Sequence, residues 1–126
     1  MISTKGRYAL RVLIDLAEQD TTTYVPLKEI AKRQGISEKY LQQIVKILVG
    51  KGLLTGISGK GGGYRLTASP EKYNVGEILE LMEGSLTPVA CLAPDTKTCS
   101  RSSHCKTLPM WKKFDNLVHD YFFHIT

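Results

Sequence analysis

The chain has 126 residues, a length that fits one compact domain or a small domain with an appended element. Its hydrophobic content of 42% is ordinary for a globular protein and argues against disorder. The N-terminus lacks the apolar segment of a secretory signal, and no apolar run approaches the roughly eighteen residues that a membrane span needs. We therefore expect a cytoplasmic protein without a membrane partner, in a compartment where thiols stay reduced.

Positive charge is confined to the N-terminal half of the chain. The formal net charge is +5, yet residues 1–67 carry eleven Lys and Arg against five Asp and Glu, whereas residues 68–126 carry six against seven. A basic half beside a neutral half favours an anionic partner, with nucleic acid as the first candidate. An ordinary solvated surface explains the charge equally well, so charge alone does not decide.

The first predicted element is a helix over residues 3–19. Ser3 or Thr4 can cap its start. Apolar residues recur at the three-and-four spacing of one buried face, namely Ala9, Val12, Leu13, Leu16 and Ala17. The polar segment DTTTY then ends the helix.

Two further helices follow, joined by a short turn. Pro26 opens the first of them, which ends near Gly35, a typical left-handed C-cap. Ser37 is the candidate N-cap of the next helix, which extends to about Lys51. Its buried face is predicted to comprise Leu41, Ile44, Val45, Leu48 and Val49. Two helices separated by such a short turn are typical of a helix-turn-helix, whose second helix enters the major groove of DNA.

A predicted β-hairpin comes directly after the recognition helix. The segments LLTGIS and YRLT are expected to be short strands, and the glycine-rich connector GKGGG can take positive φ. A hairpin in this place is the wing of a winged helix, and Lys60 and Arg65 can reach a phosphate or the minor groove. The connector has no Lys-Ser or Lys-Thr ending and no helix after it, so nucleotide binding is not expected.

The C-terminal part contains two more predicted helices. Asn74 and Glu77 form a candidate capping box for a helix that ends at Gly84, with Ile78, Leu81 and Met82 facing inward. Residues 85–106 have no periodicity. The segment 107–124 is helical again, with a broad apolar stripe of Leu108, Trp111, Phe114, Leu117, Val118, Tyr121 and Phe122. A helix this apolar must be covered, and we expect a partner chain to cover it.

Together these elements predict a mainly α fold with a small β-wing. Residues 1–84 are expected to form a winged helix-turn-helix DNA-binding domain, residues 85–106 a cysteine-bearing loop, and residues 107–126 a helix for dimerisation. Glutamine can contact adenine through two hydrogen bonds, and Ser, Tyr and Lys suit phosphates or guanine. The expected DNA contacts are Lys5, Arg7, Lys28, Ser37, Lys39, Tyr40, Gln42, Gln43, Lys46, Ser58, Lys60, Gly61 and Arg65. An ordinary solvated helix face is the alternative reading.

Three cysteines, Cys91, Cys99 and Cys105, lie within fifteen residues, and the chain has no others. Structural zinc sites usually contain closely spaced cysteine pairs, which are absent here. Wide spacing on an irregular loop suits an iron–sulfur cluster, whose fourth ligand would be a His, Asp or Glu, a small molecule or another subunit. Three ordinary loop thiols are the alternative. No Ser-His-Asp set or carboxylate pair stands out, so no enzyme activity is expected.

Several segments in order carry a family resemblance: TKGRYAL, ISEKYLQQIVKILVGKGLL, GKGGGYRL, NVGEILELMEG and the three cysteines before TLPMW. They resemble the Rrf2 family of winged helix-turn-helix repressors, and the resemblance covers nearly the whole chain. It implies a bacterial homodimer on a palindromic operator, with the last helix at the dimer interface. It also implies a 2Fe–2S or 4Fe–4S cluster on Cys91, Cys99 and Cys105, whose state changes DNA affinity.

The chain departs from the family pattern at both known positions of the fourth ligand. IscR-like members use a His three residues after the last cysteine, where this chain has Leu108. Certain NsrR-like members use an Asp in the first helix, where this chain has Arg7. The cluster type and its fourth ligand therefore stay open.

Two alternatives to a cluster-sensing regulator remain. The first is a cluster-free, DNA-binding repressor of the cysteine-metabolism type (CymR), controlled by thiol oxidation, a small effector or a partner enzyme. The second is a protein–protein adaptor that uses a winged helix without DNA.

Overall fold

The computed structural model describes residues 2–86 and 107–126. Within these ranges the elements are α1 (Thr4–Glu18), α2 (Leu27–Gln34), α3 (Glu38–Gly50), β1 (Leu54–Ile57), β2 (Gly63–Leu66), a 3-10 turn (Pro70–Lys72), α4 (Val75–Glu83) and α5 (Leu108–Phe123). The predominance of helices beside a small antiparallel sheet confirms the predicted fold class. Among the helices described, none is both long and apolar enough to cross a membrane.

The helix ends lie within one residue of the predicted ones because the capping residues act as expected. Ser3, Ser37 and Asn74 each accept a hydrogen bond from a backbone N–H two or three residues later, at 3.0–3.2 Å. These bonds satisfy N–H groups that have no partner inside the helix. Gly35 ends α2 in the left-handed conformation, with φ of 65°.

The core lies between α1, α2, α3, α4 and the base of the wing. Its fully buried side chains include Val12, Leu16, Ile30, Leu41, Ile44, Val45, Leu48, Leu54 and Leu79. One predicted core residue was wrong: Val49 is 38% exposed. Val49 follows Leu41 by eight residues, which places it about 80° away from Leu41 around the helix axis. At that angle it lies beside the buried face rather than on it.

The wing is a two-stranded antiparallel hairpin that is anchored to the connection between α1 and α2. Leu54 pairs with Leu66 at its base, and Ile57 pairs with Gly63 near its tip. Val25 and Tyr64 exchange two backbone hydrogen bonds of 2.9 and 2.8 Å, so Val25 adds a one-residue bridge to the sheet. A side chain at position 63 would overlap the Val25 carbonyl, so this close approach requires glycine.

The end of α5 packs against the start of α4. The Asn74 side-chain amide donates a 2.6 Å hydrogen bond to the Phe123 carbonyl, and the Val75 N–H donates one of 2.9 Å to the Ile125 carbonyl. The Phe123 ring lies directly against Gly76, where any side chain would overlap it. The C-terminus of α5 is therefore fixed by contacts within the chain.

Candidate nucleic-acid interface

The turn between α2 and α3 determines the direction in which α3 leaves the core. After Gly35, Ile36 is buried and Ser37 caps α3 by accepting a 3.1 Å hydrogen bond from the Tyr40 N–H. An apolar anchor and a polar cap on consecutive residues fix the start of the helix on the core. This is the arrangement of a recognition helix in a helix-turn-helix.

The outer face of α3 carries the polar side chains that the sequence predicted. Exposed residues include Ser37, Lys39, Gln42, Gln43 and Lys46. Tyr40 differs from them, because it is half-buried and its ring meets the ring of Tyr8 edge-on at 5.8 Å. Its ring therefore holds α3 against α1, in addition to the contact with DNA that the sequence predicts for it.

The wing tip presents one cation to solvent. The Gly62 N–H donates a 3.0 Å hydrogen bond to the Gly59 carbonyl and closes the turn, and Ser58, Lys60 and Gly61 are exposed there. A lysine on a glycine-rich turn can approach a phosphate without steric hindrance from neighbouring side chains.

Arg65, the other predicted cation of the wing, lies on β2 rather than at the tip. Its guanidinium lies over the Tyr24 ring, 4.6 Å from the ring centroid, and donates a 3.1 Å hydrogen bond to the Thr22 carbonyl. These contacts tie the wing to the α1–α2 connection. These contacts leave only part of the guanidinium for the DNA contact that the sequence predicts for Arg65.

A groove of about 570 Å³ lies between α3 and the wing. Its lining combines amide, ammonium and hydroxyl groups with apolar surface, and comprises Gln42, Lys46, Val49, Gly56, Ile57, Ser58 and Tyr64. The polar groups can bind base edges or phosphates, and the apolar groups suit a thymine methyl. The structure thus brings predicted residues of α3 and of the wing to one surface.

Sequence reasoning missed two apolar members of this groove, Val49 and Ile57. Ile57 is 49% exposed, a high value for a β-branched residue in a strand. The available signal was its position at the end of the predicted strand, two residues before the glycine-rich connector GKGGG, far from the base of the wing that packs on the core.

Three predicted contacts lie on α1 and α2 rather than on α3 or the wing. Lys5 and Arg7 lie near the start of α1, and Lys28 lies in the first turn of α2. The N-terminus of a helix carries a partial positive charge, and these cations add to it. A bound anion such as a phosphate would therefore stabilise the starts of both helices. Arg7 and Lys28 are exposed, whereas Lys5 is half-buried.

The predicted cluster ligands, Cys91, Cys99 and Cys105, lie outside the described residues. Among residues 2–86 and 107–126, no three or more His, Cys, Asp or Glu side chains are grouped so that they could hold a metal ion. The two positions where relatives place a fourth ligand are described: Arg7 is exposed on α1, and Leu108 is half-buried at the start of α5.

Comparison with known proteins identifies regulators of transcription as relatives of this chain. The family model Rrf2, described as an iron-dependent transcriptional regulator, matches residues 2–126. The chain is 32% identical to the HTH-type transcriptional regulator IscR of Vibrio campbellii over 125 residues, which cover 99% of this chain and 73% of that protein.

Solved structures include similar folds. The structure of CymR, the global cysteine regulator of B. subtilis, matches with a TM-score of 0.75 and 34% identity, over 97% of this chain and 88% of that one. The structure of T. potens IscR matches with a TM-score of 0.75 and 33% identity, over 100% and 82%. These relatives are transcriptional regulators and not enzymes, as the sequence predicted. With its winged helix, its groove beside α3 and a family match along almost its full length, the chain belongs to the Rrf2 family of transcriptional regulators.

Proposed function

We propose that this regulator is a homodimeric repressor that reads a palindromic operator with α3 and the wing, and that senses iron–sulfur or redox status through its cysteines. The observation that supports DNA reading best is the groove beside α3, where Gln42, Lys46 and Ser58 lie on one surface. The glutamine and lysine project from α3, which in this proposal enters the major groove. Lys60 at the exposed wing tip would then contact the phosphate backbone.

The proposed dimer rests on an exposed apolar stripe along α5. Met110, Phe114, Leu117 and Tyr121 are 54%, 43%, 58% and 67% exposed. Their spacing of four, three and four residues is that of a helix–helix seam. A second copy of the same helix offers a matching surface, and a two-fold dimer would present two recognition helices to half-sites about one DNA turn apart.

The proposed cluster rests on the donor set and on the relatives. Cys91, Cys99 and Cys105 supply three thiolates, the usual ligands of iron–sulfur clusters. The family model is described as iron-dependent, and an IscR aligns along almost the whole chain. When bound, a cluster would supply a redox-active and labile group. Arg7 and Leu108 cannot ligate iron, so the fourth ligand comes from elsewhere.

A second candidate function follows from the CymR structure. That protein is a cysteine regulator, and it resembles this chain as closely in fold as the IscR structure does. In this case the thiols would report oxidation by forming a disulfide, or an effector or partner enzyme would control DNA affinity, without iron.

One experiment distinguishes the iron–sulfur sensor from the iron-free regulator. The purified full chain is supplied anaerobically with iron and sulfide, and its absorbance and Mössbauer spectra are recorded beside those of a variant with all three cysteines changed to serine. Charge-transfer bands in the wild type alone support a cluster and report its type. If the two proteins give the same featureless spectrum, the cluster is excluded, and thiol counting in the DNA-bound and free forms then tests the redox alternative.

A further inference from the structure

A buried carboxylate on α1 faces the end of α2. Asp15 on α1 is 2% exposed, although it is charged. Its two oxygens accept hydrogen bonds from Arg33 at 3.0 and 2.7 Å, and one of them accepts a third from the Gln34 side chain at 2.9 Å. Arg33 and Gln34 are the last two residues of α2. The carboxylate therefore holds the end of α2, directly before the turn.

A second set of contacts joins α1 to the end of α2 and to the start of α3, on the two sides of the α2–α3 turn. Arg11 donates a 3.0 Å hydrogen bond to the Gln34 side-chain oxygen and a further one to the Gln34 carbonyl. The Arg11 guanidinium also lies over the Tyr8 ring, 5.3 Å from its centroid, and Tyr8 meets Tyr40 in the first turn of α3. The network thus runs from the end of α2 through α1 to the start of α3.

The charge of Asp15 is essential to this network. Burial would raise the pKa of Asp15, but the hydrogen bonds from Arg33 and Gln34 and the charge of Arg33 outweigh it, so the pKa lies below its ordinary value. A neutral acid or amide could not accept the two-pronged contact of a guanidinium equally well. Without the Asp15 carboxylate, Arg33 would lose both of its short hydrogen bonds and keep its 3.7 Å contact with Glu29.

We propose that Asp15 is a positioning residue for DNA recognition, which fixes the angle of α3 through Arg33 and Gln34. The proposal rests on the proposed reading of DNA by α3. Arg33 lies in the basic half of the chain, yet its guanidinium is committed to Asp15 and, at 3.7 Å, to Glu29. Its contribution to DNA binding is therefore geometric, and it acts through the orientation of the helix that reads the bases.

The test compares specific with non-specific affinity. A duplex is first selected from a random pool with the wild-type full chain, and its Kd and that of an unrelated duplex are measured over a range of salt concentrations. Asp15→Asn is expected to weaken binding to the selected duplex by about tenfold or more and to leave the unrelated duplex within about twofold, with an unchanged salt slope. A lost phosphate contact would instead weaken both duplexes and reduce the slope.

Asp20→Asn is the matched control. It removes the same charge from the α1–α2 region, but Asp20 is exposed and its side chain accepts two hydrogen bonds from its near neighbour Thr22. Its ratio of specific to non-specific affinity should equal that of the wild type. If Asp15→Asn is too unstable to assay, Arg33→Lys carries the same test, because lysine keeps the charge and loses the two-pronged contact.

The outcomes separate this inference from the proposed function. If the wild type selects no duplex and binds DNA without salt dependence, the proposed function fails. If the wild type selects a duplex and a folded Asp15 or Arg33 variant keeps the wild-type affinity ratio, only the positioning role is overturned.

Discussion

Glu83, the last residue of α4, binds Ser3 at the N-cap of α1. Its carboxylate accepts a 2.7 Å hydrogen bond from the Ser3 N–H and a 2.8 Å one from the Ser3 hydroxyl, and the Gly6 N–H adds a third at 3.0 Å. A carboxylate at a helix N-terminus also interacts favourably with the helix dipole. A side chain on Gly6 would lie 2.6 Å from the Glu83 oxygen, so this contact requires glycine at position 6.

Changing Glu83 to Gln is therefore expected to lower the free energy of unfolding by about 1–3 kcal/mol, because hydrogen bonds to an ionised group are lost. Urea denaturation of the full chain measures the change. Glu80→Gln, at an exposed position on the same helix, is the control and should be nearly neutral. Equal midpoints for the two variants would contradict a role for Glu83 in joining the helices.

The stability of the protein should fall as the pH becomes acidic. Burial would raise the pKa of both Asp15 and Glu83, but their hydrogen bonds outweigh it and lower both values. A carboxylate with a lowered pKa in the folded state stabilises it above the pKa of the unfolded chain, about 4. This stabilisation is lost as the pH falls further, through the folded-state value. In denaturation curves at a series of pH values, the advantage of the wild type over Asp15→Asn should shrink below about pH 4. A constant difference down to pH 2.5 would contradict this expectation.

The contact between the wing and Val25 can be tested with two glycines. Gly61 and Gly63 both have positive φ, at 79° and 151°, but only at Gly63 would a side chain meet other backbone. Gly63→Ala is expected to destabilise the protein by more than about 2 kcal/mol, whereas Gly61→Ala should cost about 1 kcal/mol. Thermal denaturation compares them, and similar losses would show that positive φ, rather than the close approach, dominates.

The exposed stripe of α5 predicts the oligomeric state. Leu117→Glu places a charge on the proposed seam and is expected to convert the dimer into a monomer, as measured by sedimentation equilibrium. Asn116→Glu adds the same charge at the neighbouring exposed position, outside the stripe, and should leave the dimer intact. A dimer that survives both changes, or a monomeric wild type, would exclude this seam.

Two neighbours in the groove should affect DNA binding differently. Lys46→Ala is expected to weaken binding to all duplexes and to reduce the salt slope by about one, if the ammonium neutralises a phosphate. Gln42→Ala should instead relax the preference at one base pair, at a cost of about 1–3 kcal/mol. Titrations with the selected duplex and its single-base variants distinguish the two effects, and identical profiles would argue against base reading by Gln42.

Much of the fold could be predicted from local signals. Ser3, Ser37 and Asn74 cap helices and Gly35 ends one, because these residues act on backbone groups a few positions away. Val49 was misjudged because apolar spacing alone does not show where a helix leaves the core.

The contacts that support the candidate site were harder to predict because they join residues far apart in sequence. The Arg65 stack on Tyr24, the Val25 bridge to the wing and the Glu83 bond to Ser3 depend on the tertiary arrangement. Asp15 did give a signal: it follows Val12 by three residues and precedes Leu16, so it falls on the buried face of α1. A carboxylate there requires a cationic partner.

The two ends of α1 are held differently. Its first turn is bonded to Glu83, which precedes Cys91 by eight residues in the sequence, and its last turns hold the α2–α3 turn through Asp15. A 15-residue helix is a stiff rod of about 22 Å. Under the proposed function, α1 would connect a change at residue 83 to the α2–α3 turn across this length. A signal received near the cysteines would then need no direct contact with the residues that read DNA.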